Sequence, residues 1–199
     1  MASAPTAPSA PEVSPFRARL LDGLAASIAE RGYRDTTVAD IVRHARTSKR
    51  TFYDEFAGKQ ECFVALLVDD VAQMIAGIRA AVDPEADWRE QVRRAVGAYV
   101  DHIAARPAIT LAWIRDLPAL GEVVRTMEPV TMHDVTEMLI ELSSGPGFRR
   151  AGLAPLSRPM AVFLAGGLRE LAARFVEEGR DLRELTAPAV AAATAVLRG

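Results

Sequence analysis

Two brief apolar stripes, each opened by a hydroxyl-bearing residue, constrain the fold of residues 32–63 (GYRDTTVADIVRHARTSKRTFYDEFAGKQECF) more than any other feature of the chain. Val38, Ile41, Val42 and Ala45 stand at i, i+3, i+4 and i+7, the spacing of one buried helical face. Thr37 before them is a strong N-cap, and Asp40 three residues on completes the pattern of a capping box with a shorter acid. The stripe breaks at Arg46-Thr47. Ser48 then caps a second segment through the amide near Thr51, and Phe52 and Phe56, four residues apart, share its inner face. The spacing predicts two short helices joined by a tight turn. Upstream, Phe16, Leu20, Leu24 and Ile28 predict a longer helix from Phe16 to about Arg31, ended by Gly32.

Lys49, Arg50 and Tyr53 cannot share the face that holds the two phenylalanines, so they point outward beside Thr51. No acid lies between Ile41 and Tyr53, against Arg43, Arg46, Lys49 and Arg50. That concentration favours phosphate contact through counterion release. Arg50 or Lys49 reaches guanine O6 and N7, and the Thr51 methyl meets a thymine methyl, when such a helix lies in a major groove. Gly58-Lys59 opens the next helix, where a lysine beside free amides is expected to anchor a phosphate. A basic face on a short helix is usually only solvated surface. The caps, the phenylalanine pair, the basic face and the tyrosine hydroxyl together stand at the spacing of a helix-turn-helix. The expected DNA-binding residues are Thr37, Arg46, Ser48, Lys49, Arg50, Thr51, Tyr53 and Lys59.

The stretch resembles the N-terminal domain of the TetR (tetracycline-repressor) family of transcriptional regulators. It matches the family pattern at Gly32, Tyr33, Thr36, Thr37, Val38, Ile41, Ala45, Ser48, Thr51, Phe52, Tyr53, Phe56, Lys59 and, one place along, Glu61. It departs from the pattern at four places. Val42 replaces a small alanine at a helix crossing, Thr47 replaces a buried valine, and Glu55 stands where histidine or tyrosine is common. Arg46 stands where the family has a turn glycine, and a non-glycine residue there at positive φ costs on the order of 1 kcal/mol.

The remaining segments are rich in Ala, Leu, Arg and Glu and poor in strand signals, so the fold class is all-α, with about nine helices. Helices are expected over Lys59 to about Val82, Trp88–Ala105, Ala108–Asp116, Leu120–Ser143 with a kink or split at Pro129, Arg158–Glu178 and Asp181–Arg198. Residues 144–157 read as a plain connector, since their glycines fit neither a P-loop nor a dinucleotide fingerprint. Residues 1–15, rich in Ala, Pro and Ser, read as a disordered tail without the apolar run of a signal peptide. The division expected is a tail over 1–15, a helix-turn-helix domain over 16–57 and a ligand-binding and dimerisation domain over 58–199.

The net charge of −2 hides an asymmetry: residues 14–64 hold nine basic and seven acidic residues, while 65–199 hold fifteen and eighteen. Both lysines, Lys49 and Lys59, fall in the first group. The single cysteine, Cys62, rules out an intramolecular disulfide and reads as a small buried hydrophobe. No stretch approaches the ~20 apolar residues that span a bilayer, and a cytoplasmic location is expected. There is no nucleophile elbow, zinc motif or paired carboxylate setting, so no enzyme activity and no cofactor are expected. His102 and His133, flanked by Asp101 and Asp134, lack ligand spacing, so no metal is expected.

The resemblance implies more than the residues do. It implies a small-molecule pocket within the helical body, for which Tyr99, His102, Trp113, Met127, Met132 and Phe163 are the candidates. It implies that the last two long helices pair with their copies in a second subunit, with Gly166, Gly167, Leu171, Phe175, Val190 and Leu197 at the interface. The partners expected are a double-stranded palindromic DNA operator, a small-molecule effector and a second copy of the chain. The function expected is a repressor released from its operator by that effector. The alternatives are an activator without small-molecule control and an all-helical protein-interaction module.

Overall fold

A computed structural model describes residues 14–198, apart from the side chains of residues 119 and 122–129. Of the tail expected over 1–15, residues 1–13 lie outside the described residues. Ser14 accepts from the Phe16 amide and Pro15 occupies the first turn of α1 (Pro15–Asp35), so the first helix begins inside the expected tail. Gly32 interrupts α1 with φ 80°, a left-handed value that only glycine takes at little cost. Leu20, Leu24 and Ile28 are buried as their spacing predicts. Phe16 is not: it is 47% exposed at the open end of the stripe, with the Arg19 guanidinium 5.9 Å from its ring centroid.

α2 (Val38–Ala45) and α3 (Lys49–Glu55) are the two short helices. α1 crosses α2 at Gly23, where a Cβ would lie only 2.6 Å from the Ile41 carbonyl oxygen. That close approach needs glycine. α4 (Lys59–Ala81) leaves the unit, and α5 (Trp88–Ala105) and α6 (Pro107–Arg115) follow. Pro107 does not merely end α5; it opens α6, where its missing N–H is no loss. A 3-10 turn (Leu117–Leu120) leads to α7 (Glu122–Ser143). α7 runs as one helix through Pro129, so the helix is not split there.

The expected connector over 144–157 contains a helix, α8 (Pro146–Arg150). Its Phe148 is buried against Trp88, ring centroids 6.1 Å apart, and a Cβ at Gly147 would meet the Ala86 carbonyl oxygen at 2.2 Å. α9 (Arg158–Glu177) is followed by a 3-10 turn (Leu182–Leu185) and α10 (Thr186–Arg198), so the last expected helix is shorter than its spacing suggested. The described residues thus form ten α-helices and no strand.

The core that holds the site does not stop at residue 57. Leu20, Leu24, Ile28, Ile41, Phe52 and Phe56 pack with Phe63, Leu66 and Leu67 of α4, and with Ile109 and Ala112 of α6. α6 is therefore part of the floor on which the N-terminal helices rest. Cys62 is buried in this cluster, and burial pushes its thiol up to about 12, which suits a small hydrophobe and not a reactive thiol. A second cluster joins α5, α8, α9 and α10, and a third lies between α4 and α7.

Candidate DNA interface and effector cavity

The capping box at Thr37 is complete. The Asp40 amide donates to Thr37 Oγ1 at 3.3 Å, and the Thr37 amide donates back to Asp40 Oδ2 at 3.0 Å. This fixes the start of α2 and holds the Asp40 carboxyl below its usual range, through its hydrogen bonds to Thr37 first. α2 ends in a Schellman motif: the Arg46 amide donates to Arg43 O and the Thr47 amide to Val42 O, with Arg46 left-handed at φ 49°, ψ 51°. The turn has not opened to spare the arginine. Its carbonyl and that of Ala45 instead accept from Arg19 Nη2, at 2.8 and 2.6 Å.

Ser48 caps α3, accepting from the Thr51 amide at 3.0 Å. Phe52 and Phe56 are fully buried beneath it. Tyr53 is 57% exposed and stands edge-on to Phe52 at 5.4 Å. Arg46, Lys49 and Arg50 are exposed and make no ion pair among the described residues. Arg43 is committed elsewhere. Its Nη2 donates to Glu30 Oε2 at 3.1 Å, and His44 Nε2 lies 3.0 Å from the same oxygen. Glu30 is held at about 2, mainly by its hydrogen bond with His44, then by Arg43 and Arg31. α3 thus presents to solvent the Thr51 and Tyr53 hydroxyls and the cations Lys49 and Arg50, with Asp54 exposed behind them and Arg46 in the turn before it, on a helix whose underside is packed.

Lys59 is a correction. Its ammonium donates to the carbonyl oxygens of Tyr33, Arg34 and Thr36, at 2.9, 3.2 and 2.8 Å, and lies 4.4 Å from the Tyr33 ring centroid. All three protons are used, so the side chain clamps the α1–α2 connection to α4 and has none left for a phosphate. Its burial lowers its pKa. The start of α4 also already carries an anion, since the Ala57 amide donates to Glu61 Oε2 at 2.6 Å.

A cavity of about 130 Å³ lies in the body between α4, α5, α6, α7 and α9. Tyr99, His102, Trp113 and Met132 line it. Phe163 does not: it lies 67% exposed on the outer face of α9. The side chain of Met127 lies outside the described residues. The lining is largely apolar, with Gln91 and Ser143 toward one end and its charged groups near α6. There His102 Nε2 lies 3.1 Å from Asp70 Oδ2, and Arg106 Nη1 donates to Asp70 Oδ1 at 3.2 Å. Desolvation drives the Tyr99 phenol well above its ordinary range, so it stays protonated. Sequence reading missed Asp70. Its only signal was an acid on the inward stripe of a long apolar helix.

α6 faces three ways. Ile109 and Ala112 belong to the N-terminal core, Thr110 and Trp113 line the cavity, and Arg115 reaches α9. Arg115 Nε donates to Glu177 Oε1 at 2.6 Å and its Nη1 to Glu170 Oε2 at 3.1 Å. Just beyond α6, Asp116 Oδ1 accepts from Arg34 Nε of α1 at 2.8 Å.

Two of the expected interface residues turn inward. Phe175 is 4% exposed, packed in the second cluster under the Arg180 guanidinium, and Leu197 lines the cavity. Leu171 and Val190 pack half-buried against the same cluster. Gly166 and Gly167 have open space where a Cβ would stand. With Phe163, the exposed Met160 and Val162 make an apolar patch beside those glycines that sequence reading had assigned inward or passed over. Among the described residues no group of His, Cys, Asp and Glu is placed to hold a metal ion, and no helix is long and apolar enough to cross a membrane.

Comparison with known proteins agrees with this arrangement. Residues 20–66 match the family model of bacterial regulatory proteins, tetR family. The HTH-type transcriptional activator FasR of Mycolicibacterium smegmatis is 32% identical over 87 residues, which is 44% of this chain and 40% of that protein's length. The fatty acid degradation regulator FadR of Bacillus halodurans superimposes with a TM-score of 0.78 at 21% identity, over 94% of this chain and 97% of that one. FadR of Bacillus subtilis, solved in complex with stearoyl-CoA, gives 0.74 at 17% identity, over 90% and 97%.

Proposed function

We propose that the chain, whose residues 20–66 match the tetR family model, is an effector-responsive, homodimeric regulator of that family that binds a palindromic operator. Each protomer lays α3 in a major groove. Half-site centres then lie about 34 Å apart or a multiple of that distance. Arg46, Lys49 and Tyr53 meet the phosphate backbone, and Arg50 reads a base edge. The two copies join through the outer face of α9 around Phe163, Gly166 and Gly167, with the small exposed residues Ala191, Ala192 and Ala195 of α10 beside it. The effector is a slender lipophilic molecule, in keeping with the apolar cavity and with the stearoyl-CoA of the Bacillus subtilis relative.

The observation that carries this reading is the double allegiance of α6. A cavity of about 130 Å³ has room for little more than one aromatic ring. A longer ligand enters only if the helices around it move. α6 is one of those helices, and its other face is part of the core beneath α1 and α4. Displacing it tilts the two reading heads out of register, so the effector weakens operator binding and the operator weakens effector binding, by a coupling of typically 1–3 kcal/mol.

The test is fluorescence anisotropy of the chain with DNA from upstream of its own gene, at several salt concentrations, with and without stearoyl-CoA as probe. Binding should be selective for one site, fall steeply with salt, and weaken on addition of the probe. Retention indifferent to DNA sequence, or a probe without effect at saturation, overturns the proposal. The Mycolicibacterium smegmatis relative is an activator by name, so in vitro transcription from the same fragment reads the sign of control.

A further inference from the structure

Trp113 Nε1–H is buried and has no acceptor among the described residues. A buried donor left unmet costs a folded protein about 1–3 kcal/mol, which makes it an unusual thing to find in the wall of a cavity. The ring is well held. It packs against both the N-terminal core and the cluster between α4 and α7, and the Arg169 guanidinium lies 6.0 Å from its centroid. The indole cannot swing to find a partner without giving up that packing.

Of the other polar groups at this end, the Tyr99 and Thr110 hydroxyls can turn and either donate or accept, whereas the indole N–H can only donate. Asp70 is shared between His102 and Arg106. The far end of the cavity differs. It runs along α4 from Asp70 to Val82, a rise of about 18 Å at 1.5 Å per residue. Around Val82 and Phe148 the one unmet polar atom is Gln91 Oε1, whose amide nitrogen donates to the carbonyls of Pro84 and Ala86 and so cannot be exchanged with it. Trp113 and Gln91, which both line the cavity, thus carry an unmet donor near α6 and an unmet acceptor at the distal end. An oxygen that can only accept is suited to the first and not to the second.

We propose that the Trp113 indole N–H is the fixed donor for a carbonyl-type oxygen of the effector, which therefore lies with that oxygen against α6 and its apolar tail along α4 toward Val82. The inference rests on the reading of this cavity as the effector site. It adds the polarity of the ligand, its orientation and the residue that discriminates an acyl compound from a plain hydrocarbon of the same shape. It also places the ligand's one directed contact on the helix that touches the N-terminal core.

The experiment uses two probes of equal length, a straight-chain methyl ester and the corresponding alkane, with the wild type and Trp113→Phe. Calorimetry should show the ester bound about three- to ten-fold more tightly than the alkane by the wild type, the worth of one net hydrogen bond. Trp113→Phe should abolish that preference and leave alkane binding in place. The chain has two tryptophans, so its indole N–H signals in a nitrogen–proton spectrum are assigned by Trp88→Phe. The Trp113 signal should move downfield with ester and not with alkane, which tests the proposal in the unaltered protein even if Trp113→Phe folds poorly. Binding of both probes by the wild type without discrimination, or an ester preference that survives in Trp113→Phe, overturns this inference and leaves the cavity reading intact. Failure of the wild type to bind either probe overturns both.

Discussion

Arg19 holds the left-handed Arg46 in place by donating from one guanidinium nitrogen to its carbonyl oxygen at 2.8 Å and to that of Ala45 at 2.6 Å. Arg46 is the only non-glycine residue of positive φ among those described. An L-residue in that conformation costs roughly 1–2 kcal/mol, part of which a glycine would recover. Arg46→Gly should therefore raise the stability by about 0.5–1 kcal/mol in a urea melt, while weakening DNA by one phosphate contact. Arg19→Ala should do the opposite to stability, lowering it by about 1–2 kcal/mol, since two carbonyls lose a charged donor at a partly exposed site.

The cations of α3 should separate by what they read. Lys49→Ala should weaken binding to all sequences alike and lower the slope of log affinity against log salt by about one. Arg50→Ala should cost about 1–3 kcal/mol at the matched operator and relax the preference at a single base pair. Anisotropy titrations over operator variants at several salt concentrations distinguish the two. A uniform effect of Arg50→Ala would reduce it to a phosphate contact.

Lys59→Ala tests the clamp. Three carbonyl oxygens, those of Tyr33, Arg34 and Thr36, lose their donor. The variant should lose about 1–3 kcal/mol of stability, with the salt slope of DNA binding unchanged. A normal melting temperature with a slope reduced by one would return Lys59 to the phosphate backbone.

The helices were legible where side chains cap their own backbone. Thr37 and Ser48 each accept from an amide three residues on, and α2 and α3 start where those residues predict. They were less legible where proline and glycine act through neighbours. Pro146 and Gly147 look like a connector, and α8 forms because Phe148 finds Trp88 in space. The same limit explains the site. Lys59 has the residue type and position of a phosphate anchor, but its acceptors lie 23 to 26 residues earlier in the chain, and nothing local announces them. On α9 the apolar residues Met160, Phe163, Leu164, Leu168, Leu171 and Phe175 stand at three-four spacing, which suggests one face. There are two: Leu164 and Phe175 are buried in their own protomer, and Met160 and Phe163 are not.

Glu30 gathers Arg31, Arg43 and His44 and so braces α2 against α1. Its carboxyl is held at about 2, against an ordinary 4.5. A depressed folded-state value means that the carboxylate contributes stability above the unfolded value, and that this contribution disappears as pH falls toward the folded one. Urea melts from pH 6 down to about 2 should therefore show wild type and Glu30→Gln converging across that window. A gap between them that stays constant to low pH would mean that the carboxylate charge is not what braces the helices.

Phe163 and Phe175 stand twelve positions apart on α9, one 67% and the other 4% exposed, and they should fail in different ways. Phe175 fills the core that joins α5, α9 and α10. Phe175→Ala should cost about 3–5 kcal/mol of stability, as a large-to-small change in a packed interior does. Phe163→Glu removes nothing from the protomer's own core. It should leave the far-ultraviolet circular dichroism of the protomer unchanged while placing a charge in the contact proposed between copies, where an unpaired charge is costly. Sedimentation should then show a shift from dimer to monomer, and operator affinity should collapse, because one reading head alone spans one half-site. A Phe163→Glu protein that sediments as the wild type does would remove this face of α9 from the interface.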